Sequence, residues 1–150
     1  AINDYGEFEK SICEIYPPEL VLNKENEINT STSFLDLSLK VKDGDIETSM
    51  FDKRDKFPFS IVRLPYLISN IPKKMFYSSI GAEFLRICRV SSDINHAKHC
   101  LSSLFGRAIK QGADKDFLLL TLSRTLNRHE ADFLKFRGSL NMHLIDSLFT

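Results

Sequence analysis

Apolar residues in the first fifty positions change from helical spacing to alternation. In residues 7–16 they recur three or four positions apart, and the two prolines that follow predict the end of this helix, because the residue before a proline avoids the helical conformation. The apolar run 20–22 is typical of a brief buried strand, and the polar residues 23–33 predict a loop. From residue 34 to residue 50, alternation predicts two strands joined by a tight turn at Asp43-Gly44.

The second half of the chain has helical periodicity after an irregular stretch. Three prolines and several aromatic rings between residues 51 and 73 disfavour a regular element, and we expect an extended arm there. One helix is predicted from about residue 76 to residue 90, a second from an Asp93 cap to Gly112, a third from an Asp114 cap to about residue 136, and a short fourth after Gly138. The predicted fold class is therefore α+β, with a short helix and a β-hairpin followed by an extended arm and a bundle of three to four helices.

Length and composition are those of one globular domain or a fragment of one. The chain has 150 residues, of which 43% are hydrophobic and 27% charged, so it has enough apolar side chains for a core. No apolar run approaches the roughly 20 residues that span a bilayer, and no secretory signal is recognisable at the first residues. Three cysteines are too few for a disulfide framework and favour an intracellular location, nuclear or cytoplasmic. The apolar ending at Phe149-Thr150 indicates that a parent protein continues beyond it.

The net charge of zero conceals a strong asymmetry. Residues 1–50 contain four basic and eleven acidic side chains, whereas the remaining hundred residues have a net charge of +7. Between Lys53 and Lys110, eleven lysines and arginines stand against three carboxylates. Such an excess favours a polyanionic partner, although exposed basic side chains on ordinary helices give the same composition.

The arm combines basic residues with aromatic rings and prolines. Residues 51–66 alternate these types, and the basic pair Lys73-Lys74 follows the last proline. Cationic side chains bind a phosphate backbone, and aromatic rings stack on bases. The alternative is that the rings plug the core of an irregular arm while Lys53 and Arg54 pair with neighbouring aspartates. The candidate nucleic-acid-binding residues are Lys53, Arg54, Lys56, Arg63, Lys73, Lys74, Arg86 and Arg89.

Signatures of catalysis and of metal binding are weak. The phosphate-loop, dinucleotide and nucleophile-elbow motifs do not occur in the sequence. A small zinc module is an alternative, since His-x-x-His-Cys presents ligands about one helical turn apart, but a C-x-x-C knuckle is missing and both cysteines also fit apolar helix faces. Its ligands would be Cys88, His96, His99 and Cys100. We predict no catalytic residue, no metal ligand and no cofactor in this chain.

Carboxylates near the predicted hairpin are a second candidate for metal binding. A divalent cation is bound by such oxygen ligands. Strand alternation and the tight turn, however, give these residues a structural reason to be there. The four carboxylates are Asp36, Asp43, Asp45 and Asp52.

Several segments together match one known pattern. They are Ile15-Tyr16-Pro17-Pro18-Glu19-Leu20, Ser33-Phe34-Leu35-Asp36-Leu37, Phe51-Asp52-Lys53-Arg54-Asp55 with Phe57, Phe59-Ser60-Ile61-Val62, and Ser69-Asn70-Ile71-Pro72. Over about residues 2–137 the chain resembles reverse transcriptases of eukaryotic retroelements, of the Penelope-like or a related non-retroviral type, in the part after their catalytic Tyr-x-Asp-Asp motif. It departs from the family at Tyr77-Ser78-Ser79-Ile80, where relatives often read Tyr-Gly-Val.

The resemblance implies the end of a polymerase palm followed by a thumb. Residues 1–50 would be a palm-end segment with the hairpin, 51–73 the basic and aromatic arm, and 74–150 a helical thumb-like bundle. A thumb holds a duplex by its backbone, so the implied partners are an RNA–DNA or primer–template duplex and the upstream palm and fingers, with no membrane. The catalytic aspartates and their Mg²⁺ would belong to upstream motifs of a parent RNA-directed DNA polymerase, and this chain alone is expected to be inactive.

A second hypothesis keeps the fold and changes the function. In a domesticated or decayed fragment the apolar helices, without a palm partner, would leave a hydrophobic surface for association. Such a chain would be a protein-interaction or structural domain. Duplex affinity that falls steeply with salt would favour the first hypothesis over this one.

Overall fold

The computed structural model describes residues 5–21, 30–59, 61–136 and 138–149 of the chain. Its helices are α1 (Tyr5–Ile15), α2 (Lys73–Val90), α3 (Ile94–Lys110), α4 (Lys115–Arg128), α5 (Glu130–Phe133) and α6 (Met142–Ser147). Its strands are β1 (Ser31–Phe34), β2 (Leu37–Lys42) and β3 (Asp45–Met50), and 3-10 turns cover Lys53–Lys56 and Leu134–Phe136. The arrangement confirms the α+β fold with a small sheet and a helical bundle.

The three strands form one antiparallel sheet in the order β1-β2-β3. The predicted hairpin of β2 and β3 is confirmed, with Lys42 opposite Asp45 next to the turn. The two turn residues, Asp43 and Gly44, have φ values of 51° and 89°. Both positive angles suit the Asp-Gly sequence, which is favoured in two-residue hairpin turns because their twist matches that of the strands.

The first strand corrects the sequence prediction. The alternating run was expected to begin a strand at residue 34, but the chain turns at Leu35-Asp36, so that Phe34 ends β1 and lies opposite Leu37. Residues 31–33 are therefore a strand and not a loop, while residues 23–29 of the predicted loop lie outside the described residues. Because β1 and β3 pair with opposite edges of β2, the backbone amides and carbonyls of β2 have partners on both sides. This pairing uses the backbone and does not require apolar side chains in β1.

The predicted strand at residues 20–22 is wrong for its described part. Leu20 and Val21 are not in a strand, and their side chains are 58% and 80% exposed. The amide of Leu20 instead donates to the carbonyl of Pro17 at 3.0 Å, which closes a local turn. Leu22 lies outside the described residues.

The core lies between the helices of the bundle. Helix α2 packs against both α3 and α4, and Phe84, Phe105 and Leu122 are fully buried there. The predicted caps of α3 and α4 are confirmed. Asp93 accepts hydrogen bonds from the amides of Asn95 and His96, and Asp114 accepts one from Phe117. These side chains satisfy amides that the first helical turn leaves unpaired.

The third predicted helix is shorter than expected. Helix α4 ends at Arg128, because His129 leaves the helical conformation with φ −120° and ψ 32°. The chain that follows buries Phe133 and Phe136. It also brings Nζ of Lys135 within 2.8 and 2.7 Å of the carbonyls of Arg89 and Ser91, where α2 ends. A cation at this end binds carbonyl groups that have no helical partner.

One residue of β3 fixes the sheet to the bundle. The hydroxyl of Thr48 donates to the carbonyl of Val90 at 2.6 Å, and the amide of Thr48 donates to Oγ of Ser92 at 2.9 Å. The amide of Ser92 donates back to the carbonyl of Thr48. The hairpin therefore lies at the loop between α2 and α3.

Helix α1 confirms the first predicted helix, and its apolar side chains Phe8 and Ile15 are exposed.

Candidate nucleic-acid interface

Helices α2 and α4 approach each other closely at a glycine. A Cβ atom on Gly81 would lie 3.1 Å from Oγ1 of Thr125 and 3.6 Å from Cγ2 of Thr121. One turn earlier, the ring centroids of Tyr77 and Phe117 are 4.4 Å apart. Because contacts advance along both helices in the same order, α2 and α4 run in the same direction here. Gly81 therefore lets the two helices pack closely, and it lines a surface groove between α2 and α4.

Exposed cations line this groove, which has a volume of about 670 Å³. They are Lys74 on α2 and Arg124 and Arg128 on α4. Among the residues that the structure describes, no carboxylate belongs to the lining. Within the described part of the chain, none of the three cations forms an ion pair. The groove is therefore electropositive, and its cations are available to an anion.

Between its cations the groove has both hydroxyl groups and apolar side chains, among them Ala82 and Leu85. Ser78, Thr121 and Thr125 line it, and the hydroxyls of both threonines donate at 2.9 Å to carbonyls one turn earlier in α4. Their oxygens keep acceptor capacity toward the groove. At the far end Nδ1 of His129 lies 3.6 Å from a carboxylate oxygen of Asp132. This arrangement has cations at its ends and hydroxyl groups between them.

The length of the groove suits a run of phosphates. From Phe117 to Arg128 the helix rises about 16 Å at 1.5 Å per residue. A nucleic-acid strand carries one phosphate per nucleotide, and this length exceeds the spacing between neighbouring phosphates of one backbone. Several phosphates of one backbone can therefore lie along the groove at once.

The start of α2 adds positive potential to one end of this groove. Lys73 and Lys74 are both exposed there, the first turn contains no acidic residue, and Pro72 gives the helix no side-chain cap. The unpaired amides of a helix N-terminus attract anions. Of the eight residues predicted from sequence, Lys74 lines the groove, and Lys73 precedes it at the start of α2.

The predicted residues of the arm lie in a separate cluster. Asp52 accepts hydrogen bonds from Nε and Nη2 of Arg54 at 3.0 and 2.9 Å, and it also forms an ion pair with Arg63. Lys53 and Lys56 are exposed, and Nζ of Lys56 lies 4.9 Å from the centroid of the Phe51 ring. Arg54 thus pairs with a neighbouring aspartate, as in the alternative interpretation of the arm.

The two predicted arginines of α2 are engaged by carboxylates. Arg86 donates to Glu83 at 2.8 Å and to Asp36 at 2.6 Å, and Arg89 donates to Asp132 at 2.8 Å. Hydrogen bonding to Glu83 raises the pKa of Arg86, and hydrogen bonding to Asp132 raises that of Arg89. A phosphate at either guanidinium would have to compete with these carboxylates.

Sequence reasoning missed the two arginines of α4. Both lie beyond Lys110, where the densely basic stretch of the sequence ends, and the pattern of α4 predicted only an apolar helix face. A signal was available, because Phe117, Thr121, Arg124 and Arg128 follow one another at intervals of four, three and four residues. Such spacing places them on one face of a helix. That this face borders α2 and not open solvent depends on tertiary packing.

The residues considered for metal binding are dispersed. Within the described ranges, no three His, Cys, Asp or Glu side chains lie together in a way that would hold an ion. Cys88 is fully buried, and burial raises the pKa of its thiol to about 12, which disfavours the thiolate that a metal requires. Two of the four carboxylates near the hairpin, Asp36 and Asp52, contact arginines.

Comparisons with known proteins give no family for this chain. No family model, no curated protein and no solved structure matches it. Among the helices of the described residues, none combines the length and the apolar character needed to cross a bilayer.

Proposed function

We propose that this chain is a nucleic-acid-binding module that holds a duplex by its phosphate backbone. The observation that carries the proposal is the groove between α2 and α4, where Lys74, Arg124 and Arg128 lie and where no carboxylate of the described residues belongs to the lining. Contacts of this kind are sequence-independent and dominate the affinity of proteins for nucleic acid. The exposed Lys73, which precedes Lys74 at the start of α2, is a further cation close in sequence to the groove.

The sequence resemblance supports a particular setting for this module. In a retroelement-type reverse transcriptase the helices would act as a thumb, and the duplex would be RNA–DNA or primer–template. Catalysis and Mg²⁺ would belong to the palm of the parent polymerase, inside the cell in the nucleus or the cytoplasm. The chain itself would bind the duplex and add no nucleotide.

The test is a titration of a fluorescent RNA–DNA hybrid at several salt concentrations. Three to four cations on phosphates predict a slope of about −3 in a plot of log affinity against log salt concentration. Between 50 and 200 mM salt the affinity should then fall roughly 60-fold. Absence of binding at the lowest salt concentration would refute the proposal.

Variants separate the groove from general positive charge. The double change Arg124→Ala with Arg128→Ala should weaken binding and make the salt slope less steep by about 2, since each phosphate contact contributes about 1. Arg86→Ala with Arg89→Ala is the matched control, because it removes the same charge from guanidiniums that carboxylates already engage. Equal losses in the two double variants would contradict the assignment to the groove.

An exposed apolar surface on α1 favours a second candidate function, protein association. Phe8, Ile15 and Tyr16 are 49%, 74% and 47% exposed. An amphipathic helix of this kind commonly buries its apolar face against a partner. If the chain is an interaction domain, Phe8→Ser with Ile15→Ser should abolish association in light scattering or pull-down measurements. In that case neither the unmodified chain nor the double variant should bind a duplex.

A further inference from the structure

Three arginines meet where the arm packs near the end of α3. Arg54 lies in the 3-10 turn, Arg63 in the arm and Arg107 in the last turn of α3. Together with the rings of Phe57 and Phe59 they line a cleft of about 410 Å³. This volume lies within the range of small-molecule sites, about 300–1,000 Å³.

The described side chains at this cleft have an excess of positive charge. Asp52 pairs with Arg54 and with Arg63, and its two oxygens are already occupied by these contacts. Arg107 forms no ion pair within the described residues. Burial and then repulsion by Arg107 lower the pKa of Arg63. An anion bound between the guanidiniums would relieve that repulsion.

One guanidinium has unused donor capacity. Nη1 of Arg107 donates to Oγ of Ser103 at 2.8 Å, but its buried Nε has no hydrogen-bond partner in the described part of the protein. A buried donor without an acceptor is costly, and native structures contain few of them. Guanidinium groups match the oxygens of phosphate with paired, charge-assisted hydrogen bonds.

The rings on the cleft wall indicate what is attached to the anion. Phe57 and Phe59 are 46% and 62% exposed, and their centroids lie 5.3 Å apart with a 35° angle between the planes. Exposed rings beside a cationic site offer a stacking surface to a flat base, whatever its identity. Inorganic phosphate would leave this surface uncovered.

We propose that the cleft lined by Arg54, Arg63, Arg107, Phe57 and Phe59 binds a nucleotide phosphate, with the phosphate at the guanidiniums and the base at the rings. The same chemistry is present in a free mononucleotide and in the 5′-phosphorylated end of a strand. The cleft shares no lining residue with the groove between α2 and α4, so the inference stands or falls separately from the proposed function.

The first experiment compares AMP, ribose 5-phosphate and inorganic phosphate by calorimetry with the full chain at low salt. We expect saturable binding of one AMP, about tenfold tighter than that of ribose 5-phosphate, a ratio that corresponds to about 1.4 kcal/mol and to the stacking of one base. Equal affinity for the two compounds, or no saturable binding of AMP, would overturn the proposal.

Variants assign the two halves of the ligand. Phe59→Ala should remove the preference for AMP and leave the affinity for ribose 5-phosphate unchanged, because the ring is exposed and does not support the core. Arg107→Gln should weaken both compounds about tenfold. Arg54→Gln should also weaken the binding of both compounds. Because the Arg54 side chain is half-exposed, this variant tests the phosphate site without changing the partly buried Arg107. Lys110→Ala on the exposed end of α3 is the charge control, and an equal loss in that variant would refute a built site.

Two further comparisons identify the source of the ligand and separate the proposals. A short DNA strand with a 5′-phosphate is compared with the same strand carrying a 5′-hydroxyl. Tighter binding of the phosphorylated strand, lost in Arg107→Gln, supports a strand end, whereas saturable AMP binding without that difference supports a free nucleotide. Arg124→Ala with Arg128→Ala should leave AMP binding unchanged, so failure at the groove and failure at the cleft give different results.

Discussion

The guanidinium of Arg86 donates a 2.6 Å hydrogen bond to the carboxylate of Asp36, which ties the middle of α2 to the turn between β1 and β2. Arg86 also donates to both carboxylate oxygens of Glu83, three residues earlier on the same helix. One arginine thus connects the sheet with the bundle, about one helical turn before Val90, whose carbonyl accepts the hydrogen bond from Thr48.

Removal of this link should have a small effect on stability. The side chains of Arg86 and Asp36 are 38% and 48% exposed, and exposed ion pairs contribute about 0–1 kcal/mol. Asp36→Asn is therefore expected to lower the free energy of unfolding by less than about 1 kcal/mol in urea at low salt. The difference should shrink further at 1 M salt, where such charges are screened. A loss above 2 kcal/mol, or one that salt does not reduce, would show that the link is stronger than its exposure indicates.

The turn beside Asp36 contains a strained residue. Leu35 has a φ of 55° and its side chain is 80% exposed, so a branched residue adopts the left-handed conformation without gaining burial. That conformation costs an L-residue about 1–2 kcal/mol, and Asn tolerates it better. Leu35→Asn should therefore raise the free energy of unfolding by up to about 1 kcal/mol. Leu35→Ala lacks a polar side chain that can hydrogen-bond to the local backbone and should give no gain, so equal stabilisation by both substitutions would rule out relief of backbone strain.

Sequence patterns predicted the parts of the fold that local chemistry determines. The Asp43-Gly44 turn and the caps at Asp93 and Asp114 were correct because each depends on residues within three positions of one another. The turn at Leu35 was missed because leucine gives no turn signal, and its position is imposed by pairing across the sheet. Local signals do not report such tertiary constraints.

The candidate site was only partly predictable for the same reason. Basic residues of the arm and of α2 were visible in the sequence, but whether a charge is available depends on carboxylates that are distant along the chain. Arg86 pairs with Asp36, which is fifty residues away in the sequence, and Arg89 pairs with Asp132, which is forty-three residues away. Conversely, Arg124 and Arg128 line the same groove as Lys74 because α2 and α4 pack closely at Gly81.

The cap of α3 should give stability a measurable pH dependence. Slight burial acts to raise the pKa of Asp93, but the hydrogen bonds from the amides of Asn95 and His96 outweigh this effect and hold the pKa below 3.8. A carboxylate with a lowered folded pKa contributes stability that is present above its unfolded pKa and is lost as the pH falls through its folded pKa. Asp93→Ala should therefore cost about 1 kcal/mol at pH 6, and the difference from the unmodified chain should narrow below pH 3.8.

A serine at the same position is the control for that prediction. Asp93→Ser keeps an oxygen that accepts the amide hydrogen bond but has no carboxylate to titrate. Its stability relative to Asp93→Ala should stay constant between pH 6 and pH 3. If all three proteins show the same pH dependence, Asp93 does not cause it.

The cysteines should differ strongly in reactivity. Cys13 is exposed, whereas Cys88 is fully buried and burial raises the pKa of its thiol to about 12. Because the thiolate is the reactive form, iodoacetamide at pH 8 should modify Cys13 in the folded protein and leave Cys88 intact. Peptide mapping by mass spectrometry measures both sites. Modification of Cys88 should rise only in urea concentrations that unfold the chain, and equal rates at the two sites without urea would contradict its burial.

The contact at Gly81 should behave as a coupled pair with Thr125. Replacing a helical glycine by alanine gains about 1 kcal/mol of helix propensity, but here the new methyl group would lie 3.1 Å from Oγ1 of Thr125. That hydroxyl is held by its own bond to the carbonyl of Thr121, so the crowding should offset the gain and leave Gly81→Ala near neutral. In a Thr125→Ala background the obstacle is gone, and the same substitution should stabilise the protein by about 1 kcal/mol. Urea unfolding of the four proteins of this cycle measures the coupling. Equal stabilisation in both backgrounds would mean that α2 and α4 are farther apart than the groove requires.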